Sequence, residues 1–217
     1  MEAVIFDMDG VIIDSHTVTY QLLSDTANQY GCNLTPDKIK GWGSLSARQF
    51  WKRIKDEYHL EQSLSELIES YDVEKEIQYY EHIGLIPGFK EVLEQLNKSN
   101  IKTAIATSAN KRRMNAVVDI FELRTLFDAF VCDDEVINSK PDPSIFIRVA
   151  QKLKVAPEKC LVVEDSENGK IAAQKAGMKC LGFKGLPHVN ENMEGSDLMI
   201  RDFKELNIDV LYVLFDS

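Results

Sequence analysis

The sequence predicts an α/β protein whose doubly wound, mostly parallel, Rossmann-like sheet carries an inserted all-helical domain. Two observations lead to this fold class. Short β-branched runs alternate with helical patterns, and the stretch 15–84 has no strand pattern. Strands that alternate with helices of this length are typical of parallel βαβ units.

The regular part of the chain predicts six buried strands and four connecting helices. The strands are expected at residues 3–6, 101–107, 129–132, 160–164, 180–183 and 197–200, and the helices at 88–99, 112–123, 143–153 and 167–177. Gly177 is expected just after the last turn of its helix, because glycine is favoured at that position.

Residues 15–84 predict a second, smaller domain inserted between the first two strands. Helices are expected over 18–30 and 46–58, and one long helix over 63–83 begins with a capping box of Ser63 and Glu66. We therefore expect a core domain of residues 1–14 and 85–217 and a helical domain of residues 15–84.

Composition narrows the class of protein. The chain has 217 residues, 44% hydrophobic and 28% charged, and its net charge of −10 argues against nucleic acid or an anionic membrane as the main partner. No apolar run approaches the roughly 20 residues that span a bilayer. Cys32, Cys132, Cys160 and Cys180 are widely spaced, which predicts reduced thiols in a cytoplasmic protein and not a zinc site.

Two acidic pairs follow predicted strands. Asp7 and Asp9 end the first strand, and Glu164 and Asp165 end the fourth. Each pair alone is compatible with a turn or a helix cap, and residues 11–12 do not fit a calcium loop. Because parallel strands present their carboxyl ends at one edge of the sheet, the four acids together predict a Mg²⁺ site.

Hydroxyl groups and a lysine offer phosphate contacts near the same edge. Thr107 and Ser108 end the second strand, and Lys140 precedes Pro141 before a helix. A hydroxyl here can either donate to a phosphate oxygen or cap the next helix. Lys140 would supply the positive charge that several acids and a phosphate require, whereas Lys111, Arg112 and Arg113 are expected to be solvated.

Four segments in this order resemble the motifs of the haloacid dehalogenase superfamily. They are "DMDGVIIDS", "ATSAN", "KPDP" and "VVEDSENGKIAAQKAG", and the helical insertion resembles the C1 cap of that family. Within it, the chain is most similar to the beta-phosphoglucomutase and phosphoglycolate phosphatase subgroup.

The resemblance implies a role for each motif residue. Asp7 would be the nucleophile that forms an aspartyl-phosphate, and Asp9 the general acid and base. Mg²⁺ would bind Asp7, the backbone carbonyl of Asp9, Asp165 and, directly or through its surroundings, Glu164. The phosphoryl oxygens would be held by Thr107, Ser108 and Lys140.

The resemblance alone leaves several activities of the family open. Dehalogenation and phosphonate hydrolysis do not use an acid at position 9, so its presence disfavours both. Beta-phosphoglucomutases carry a cap arginine where Ser46 stands here, with Arg48 two residues further on, and a histidine where Thr19 stands, with His16 offset by three. These departures favour a phosphatase over a phosphomutase, and a non-catalytic phosphate-binding domain is the remote alternative.

The substrate is expected to be a small phosphate monoester such as a sugar phosphate. Ser46, Arg48 and Trp42 are the candidate specificity residues of the cap, whereas Trp51 is expected in the helical core. A movable cap is compatible with a monomer, with hinges near Ser15 and residues 84–88.

Overall fold

The structure is a computed structural model that describes residues 1–216, so Ser217, the last residue of the predicted core domain, lies outside the described residues. Its strands are β1 (Ala3–Phe6), β2 (Lys102–Thr107), β3 (Ala129–Cys132), β4 (Cys160–Glu164), β5 (Lys179–Phe183) and β6 (Leu198–Ile200). All pairings between neighbours are parallel, in the order β3-β2-β1-β4-β5-β6. The predicted fold class is confirmed, and each predicted strand is present within one residue at either end.

Helices fill the connections between the strands. They are α1 (His16–Gln29), α2 (Pro36–Lys40), α3 (Ala47–Tyr58), α4 (Leu64–Glu69), α5 (Val73–Ile77), α6 (Tyr80–Ile83), α7 (Phe89–Lys98), α8 (Lys111–Ile120), α9 (Ser144–Leu153), α10 (Glu167–Lys175) and α11 (Ile208–Asp216). No helix among residues 1–216 has both the length and the apolar character to cross a bilayer. The four cysteines are buried and free, as the spacing predicted.

The sheet is buried on both faces, which explains why its strands are almost continuously apolar. Val4 and Phe6 of β1 pack into the cluster that includes α7 and α8. Ala3 and Ile5 point to the opposite face, into the cluster that includes α9 and α10. The two-residue alternation of the strand thus divides one short segment between two halves of the core.

The prediction of one long helix over 63–83 is wrong, because this segment forms the three helices α4, α5 and α6. The Ser63 and Glu66 capping box is present at its start. Ser70 then bonds its hydroxyl to the carbonyl of Leu67 at 2.7 Å, and the Asp72 carboxylate accepts from the Lys75 amide at 2.9 Å. Side chains of Ser and Asp that bind nearby backbone groups compete with a continuous helix, and here they restart it.

The helices between β1 and β2 pack in two different ways. Helices α1 to α4 share a hydrophobic cluster of their own, which includes Phe50, Trp51 and Ile54. Tyr80 of α6 belongs instead to the cluster on the sheet, and Ile77 packs against it. The end of the predicted helical domain therefore rests on the core, and the boundary at residue 84 stays a prediction.

Phe89 is the test of the core packing. It is fully buried at the start of α7, with its ring 5.3 Å from that of Phe6 and 5.8 Å from that of Phe203. We expect Phe89→Ala to lower the free energy of unfolding by about 3–5 kcal/mol, because the cavity cannot collapse fully. Urea denaturation measures this, and exposed Glu94→Ala on the same helix should stay within about 0.5 kcal/mol of wild type. Equal stabilities for the two variants would contradict the packing described.

Candidate active site

The acidic residues meet where the chain reverses its path across the sheet. Asp7 follows β1 directly and Glu164 is the last residue of β4, and these two strands are neighbours. The Asp7 amide donates to the carbonyl of Val163 at 3.0 Å, which fixes the two strand ends side by side. The chain runs outward from β1 to β3 and then, from β4, in the other direction, so this is the crevice where open α/β sheets bind ligands.

Lys140 lies between two of the carboxylates. Its Nζ is 2.5 Å from Asp7 Oδ1 and 2.5 Å from Glu164 Oε1, and it donates to the carbonyl of Ala106 at 3.0 Å. Burial lowers the pKa of Lys140, but the charges of Asp7 and Glu164 raise it above its ordinary value. A protonated lysine is therefore built into the crevice, where it offsets part of the acidic charge.

Three buried carboxylates form a site that fits a hard divalent cation. Asp7, Glu164 and Asp165 each offer an oxygen, and these oxygens lie within 4.8 Å of one another. Burial raises the pKa of Asp7 well above its ordinary value, and the charges of Glu164 and Asp165 add to this while Lys140 opposes it. This surplus of negative charge and the all-oxygen donor set fit Mg²⁺. The carboxylate of Asp9 is outside the cluster, which leaves the predicted contribution of its backbone carbonyl untested.

His16 contacts the same cluster from the first helix. Its Nε2 lies 3.0 Å from Asp165 Oδ2. Burial alone would lower the pKa of His16, but the hydrogen bond to Asp165 and the nearby acidic charges raise it to about 9. His16 is thus a direct hydrogen-bond partner of Asp165. Its position in the sequence, three residues before Thr19, gave no indication of this contact.

Two glycines make room for the acids. A Cβ on Gly10 would lie 1.9 Å from Asp165 Oδ2, and Gly10 has a φ of +87° that favours glycine. A Cβ on Gly169 of α10 would lie 1.9 Å from the carboxyl carbon of Glu164. At both glycines the backbone therefore lies closer to the carboxylates than a residue with a side chain would allow.

Asp9 has partners of its own, separate from the three-carboxylate cluster. Its Oδ1 accepts a short hydrogen bond from the Ser15 hydroxyl and a second from Arg113 Nη2 at 2.8 Å. The expectation that Arg113 is solvated is wrong, because its side chain is only 13% exposed. Asp7 and Asp9 thus have different partners although they are two residues apart.

The two hydroxyl residues lie at the end of β2. Thr107 and Ser108 both line the cavity described below, and the Thr107 hydroxyl accepts from the amide of Ala109 at 3.0 Å. The cap of the next helix is Asn110, whose side chain accepts from the Arg113 amide at 2.9 Å. Thr107 is therefore not the helix cap that the sequence left open as an alternative.

A cavity of about 390 Å³ connects these groups with the helical segment. Its floor includes Asp7, Asp9, Lys140 and Asp165, and its wall includes Ser46 and Arg48. The Ser46 hydroxyl is used at the start of α3, where it accepts from the Gln49 amide at 3.3 Å. Arg48 is exposed at the same wall.

The two tryptophans that the sequence singled out occupy different places. Trp51 is fully buried in the helical cluster, as expected, and also lines the cavity. Trp42 is not among the lining residues that the structure describes. Its ring stacks under the Arg53 guanidinium, 4.1 Å from the ring centre, and lies 6.1 Å from the ring of Phe50.

Residues 44 and 49 of the helical segment form polar bonds with the core near the acids. Glu191, in the loop between β5 and β6, accepts from the Ser44 amide at 2.8 Å. Asn168 donates to the Ser44 carbonyl at 2.8 Å, and Gln49 donates to the Lys140 carbonyl at 3.1 Å. Glu191 carried no signal in the sequence, since a single acid in a polar loop is ordinary.

Gly169 allows a direct test of the acidic site. Gly169→Ala adds a methyl group against Glu164, so we expect Mg²⁺ affinity to fall by roughly 10–100-fold, the usual effect of disturbing the groups that orient ligands. Titration calorimetry measures the affinity. Gly177→Ala is the matched control, because a Cβ there meets nothing within 4 Å although its φ of +74° makes alanine unfavourable. Equal Mg²⁺ affinities for the two variants would contradict the close approach at Glu164.

Comparison with known proteins agrees with this architecture. A family model described as haloacid dehalogenase-like hydrolase matches residues 4–183. The chain is 35% identical over 179 residues to a phosphorylated carbohydrates phosphatase of Thermotoga maritima, covering 82% of this chain and 83% of the relative. It is 30% identical over 224 residues to a beta-phosphoglucomutase of Bacillus subtilis, covering 98% and 94%. The crystal structure of beta-phosphoglucomutase from Clostridium difficile has a TM-score of 0.85 at 23% identity, covering 100% of this chain and 97% of that one. The chain belongs to the haloacid dehalogenase-like hydrolase family.

Proposed function

We propose that the protein is a Mg²⁺-dependent phosphatase that hydrolyses a small phosphate monoester through an aspartyl-phosphate on Asp7. The observation that carries the proposal is the position of Asp7. It lies on the floor of the cavity, is paired with Lys140 at 2.5 Å, and shares a three-carboxylate cluster with Glu164 and Asp165. The residue proposed as the nucleophile thus lies beside a lysine and two further carboxylates that could hold a cation, at the crevice of the sheet.

The chemistry divides between Asp7 and Asp9. Bound Mg²⁺ would offset the negative charge of the approaching phosphate, with Asp7, Asp165 and Glu164 as the side chains able to hold it. Asp7 attacks phosphorus as the ester bond breaks, and Asp9 gives a proton to the departing oxygen. Asp9 then takes a proton from the water that releases phosphate from Asp7. Lys140, Thr107 and Ser108 hold the phosphoryl oxygens.

The helices between residues 15 and 84 act as a cap in this proposal. Helices α1 to α4 have their own hydrophobic cluster and face the acids across the cavity. The polar bonds from Ser44 and Gln49 to the core can break and reform at small cost, because each exchanges with water. Closing the cap would exclude bulk water from the phosphoryl group.

The cap side chains favour hydrolysis over transfer of the phosphoryl group to a second hydroxyl. The hydroxyl of Thr19 is bound to the buried Glu76 carboxylate at 2.8 Å, and His16 is bound to Asp165. Ser46 is used in its capping box. Arg48 is an arginine of the cap at the cavity wall, and it supports phosphomutase activity as the second candidate.

The substrate we propose is a sugar phosphate or a metabolite of similar size. A cavity of about 390 Å³ is within the range of small-molecule sites. The relatives named above are a phosphatase of phosphorylated carbohydrates and a beta-phosphoglucomutase, so both act on phosphorylated sugars.

Hydrolysis of p-nitrophenyl phosphate tests the proposal. We expect turnover with Mg²⁺, loss of turnover when the metal is chelated, and a fall of roughly a thousandfold or more in Asp7→Asn, because that variant lacks the nucleophile. Asp37→Asn, an exposed acid of the cap, is the matched control and should keep wild-type turnover. An Asp7→Asn protein as active as Asp37→Asn would overturn the proposed function.

Beta-glucose 1-phosphate separates the two candidates. A phosphatase releases inorganic phosphate, which a colorimetric assay detects, whereas a phosphomutase forms glucose 6-phosphate without releasing phosphate. Formation of glucose 6-phosphate in step with substrate loss would replace hydrolysis by transfer as the activity of this site.

A further inference from the structure

A buried carboxylate of α5, near the end of the helical segment 15–84, has no part in the proposed chemistry. Glu76 of α5 is fully buried, and four donors from different parts of the chain converge on it. Its oxygens accept from Thr19 Oγ1 at 2.8 Å, Tyr71 OH at 2.8 Å and Tyr80 OH at 3.1 Å, and Arg113 Nη2 lies 2.7 Å away. A buried charge is tolerated when it is paired and hydrogen-bonded, and Glu76 meets both conditions.

Arg113 connects this network to the catalytic acid. Its Nε donates to Tyr80 OH at 2.9 Å, and its Nη2 donates to Asp9 Oδ1 at 2.8 Å while also lying beside Glu76. The guanidinium is planar and rigid, so two fixed contacts at one side determine where its remaining donors point. Glu76 and Tyr80 therefore orient the group that reaches Asp9.

Asp9 is held by one oxygen. Oδ1 accepts from both Arg113 and the Ser15 hydroxyl, whereas Oδ2 has no hydrogen-bond partner in the part of the chain that the structure describes. Asp9 also lines the cavity. Two donors on one oxygen fix the plane of the carboxyl group and leave the other oxygen for a ligand.

We propose that Arg113 is a positioning residue, which fixes Oδ1 of Asp9 so that Oδ2 transfers the proton in the phosphatase reaction. This inference rests on the proposed function. In the first step Asp9 gives its proton from Oδ2 to the ester oxygen as the bond to phosphorus breaks and the bond from Asp7 to phosphorus forms. In the second step Oδ2 takes a proton from water as that bond breaks and phosphate leaves. Arg113 keeps its own protons throughout.

The ion pair of Arg112 and Glu74 provides a control for the loss of Arg113. Arg112 binds Glu74 through two hydrogen bonds of 2.6 Å and thus joins the same helices, α8 and α5. Its side chain is 56% exposed, whereas that of Arg113 is 13% exposed, and its bonds go to Glu74 and not to Asp9. Arg112→Met thus removes an arginine–glutamate pair between the two helices without touching Asp9.

The leaving group distinguishes a positioning role from a structural one. An alkyl alcohol needs a proton as it departs, whereas p-nitrophenolate is stable enough to leave without one. Single turnovers of the Mg²⁺-loaded enzyme should be followed for an alkyl phosphate, such as glycerol 1-phosphate, and for p-nitrophenyl phosphate. In Arg113→Met the first turnover of the alkyl phosphate should slow by at least about tenfold relative to Arg112→Met, since general acid catalysis contributes roughly 10²–10⁴-fold. The first release of nitrophenol should remain within a factor of about three.

Arg113→Lys keeps the buried positive charge, so it serves as the second variant if Arg113→Met folds poorly. A single ammonium cannot reproduce the fork that spans Tyr80 and Asp9, so we expect the same selective loss at smaller size. Equal slowing of both substrates, behaviour like that of Arg112→Met, or a rise in KM without a fall in kcat would overturn the assignment of Arg113. A wild-type enzyme without Mg²⁺-dependent turnover of either ester would overturn the proposed function itself, and this inference with it.

Discussion

The contact of Lys140 with Asp7 and Glu164 is the interaction on which the rest of the site depends. Three carboxylates stand close together in a buried crevice, and they can stay ionised only if positive charge lies among them. Lys140 contributes one charge at 2.5 Å from two of the acids, and the His16 imidazole forms a hydrogen bond with Asp165. Removing one partner of such a buried set typically costs about 3–5 kcal/mol, so the acids and Lys140 constrain each other.

The sheet explains why these groups come together from distant parts of the chain. Strand β1 lies between β2 and β4, and at the same edge of the sheet Asp7 follows β1, Thr107 ends β2 and Glu164 ends β4. Lys140 reaches this edge from the loop after β3 and contacts the backbone of β2. Gly10 and Gly169 then let two backbone segments approach the acids. The fold thus supplies proximity, and the small residues supply the close fit.

The fold and the floor of the site could be predicted from local patterns. Buried strands of four to six residues bounded by turns are visible as apolar runs, and their parallel order brings the motif residues to one edge. The break of residues 63–83 into three helices was missed, because Ser70 and Asp72 are compatible with a helix until their side chains bind the backbone. Helix α2 was not predicted either, although the sequence carried a signal for it. Thr35 caps the helix and Pro36 is its first residue.

Residues that act through tertiary contacts could not be assigned this way. Lys111, Arg112 and Arg113 form a basic run, and the sequence alone favoured solvent exposure for all three. Consecutive residues of a helix point about 100° apart, so the three side chains spread over about 200° of the helix surface, and this spread is the signal that was available for Arg113. Its partners Glu76 and Asp9 lie 37 and 104 positions away along the chain, and pairing over such distances is set by the fold.

The proposed function requires that Asp7 carries the phosphoryl group between its transfer from the substrate and its release to water. An aspartyl-phosphate is reduced by borohydride to homoserine, so rapid quenching during turnover, reduction and peptide mass spectrometry locate the modified residue. We expect homoserine at position 7 in wild-type enzyme supplied with substrate and Mg²⁺. Turnover that leaves Asp7 unmodified under quench conditions, with the phosphoryl group on another side chain, would contradict it.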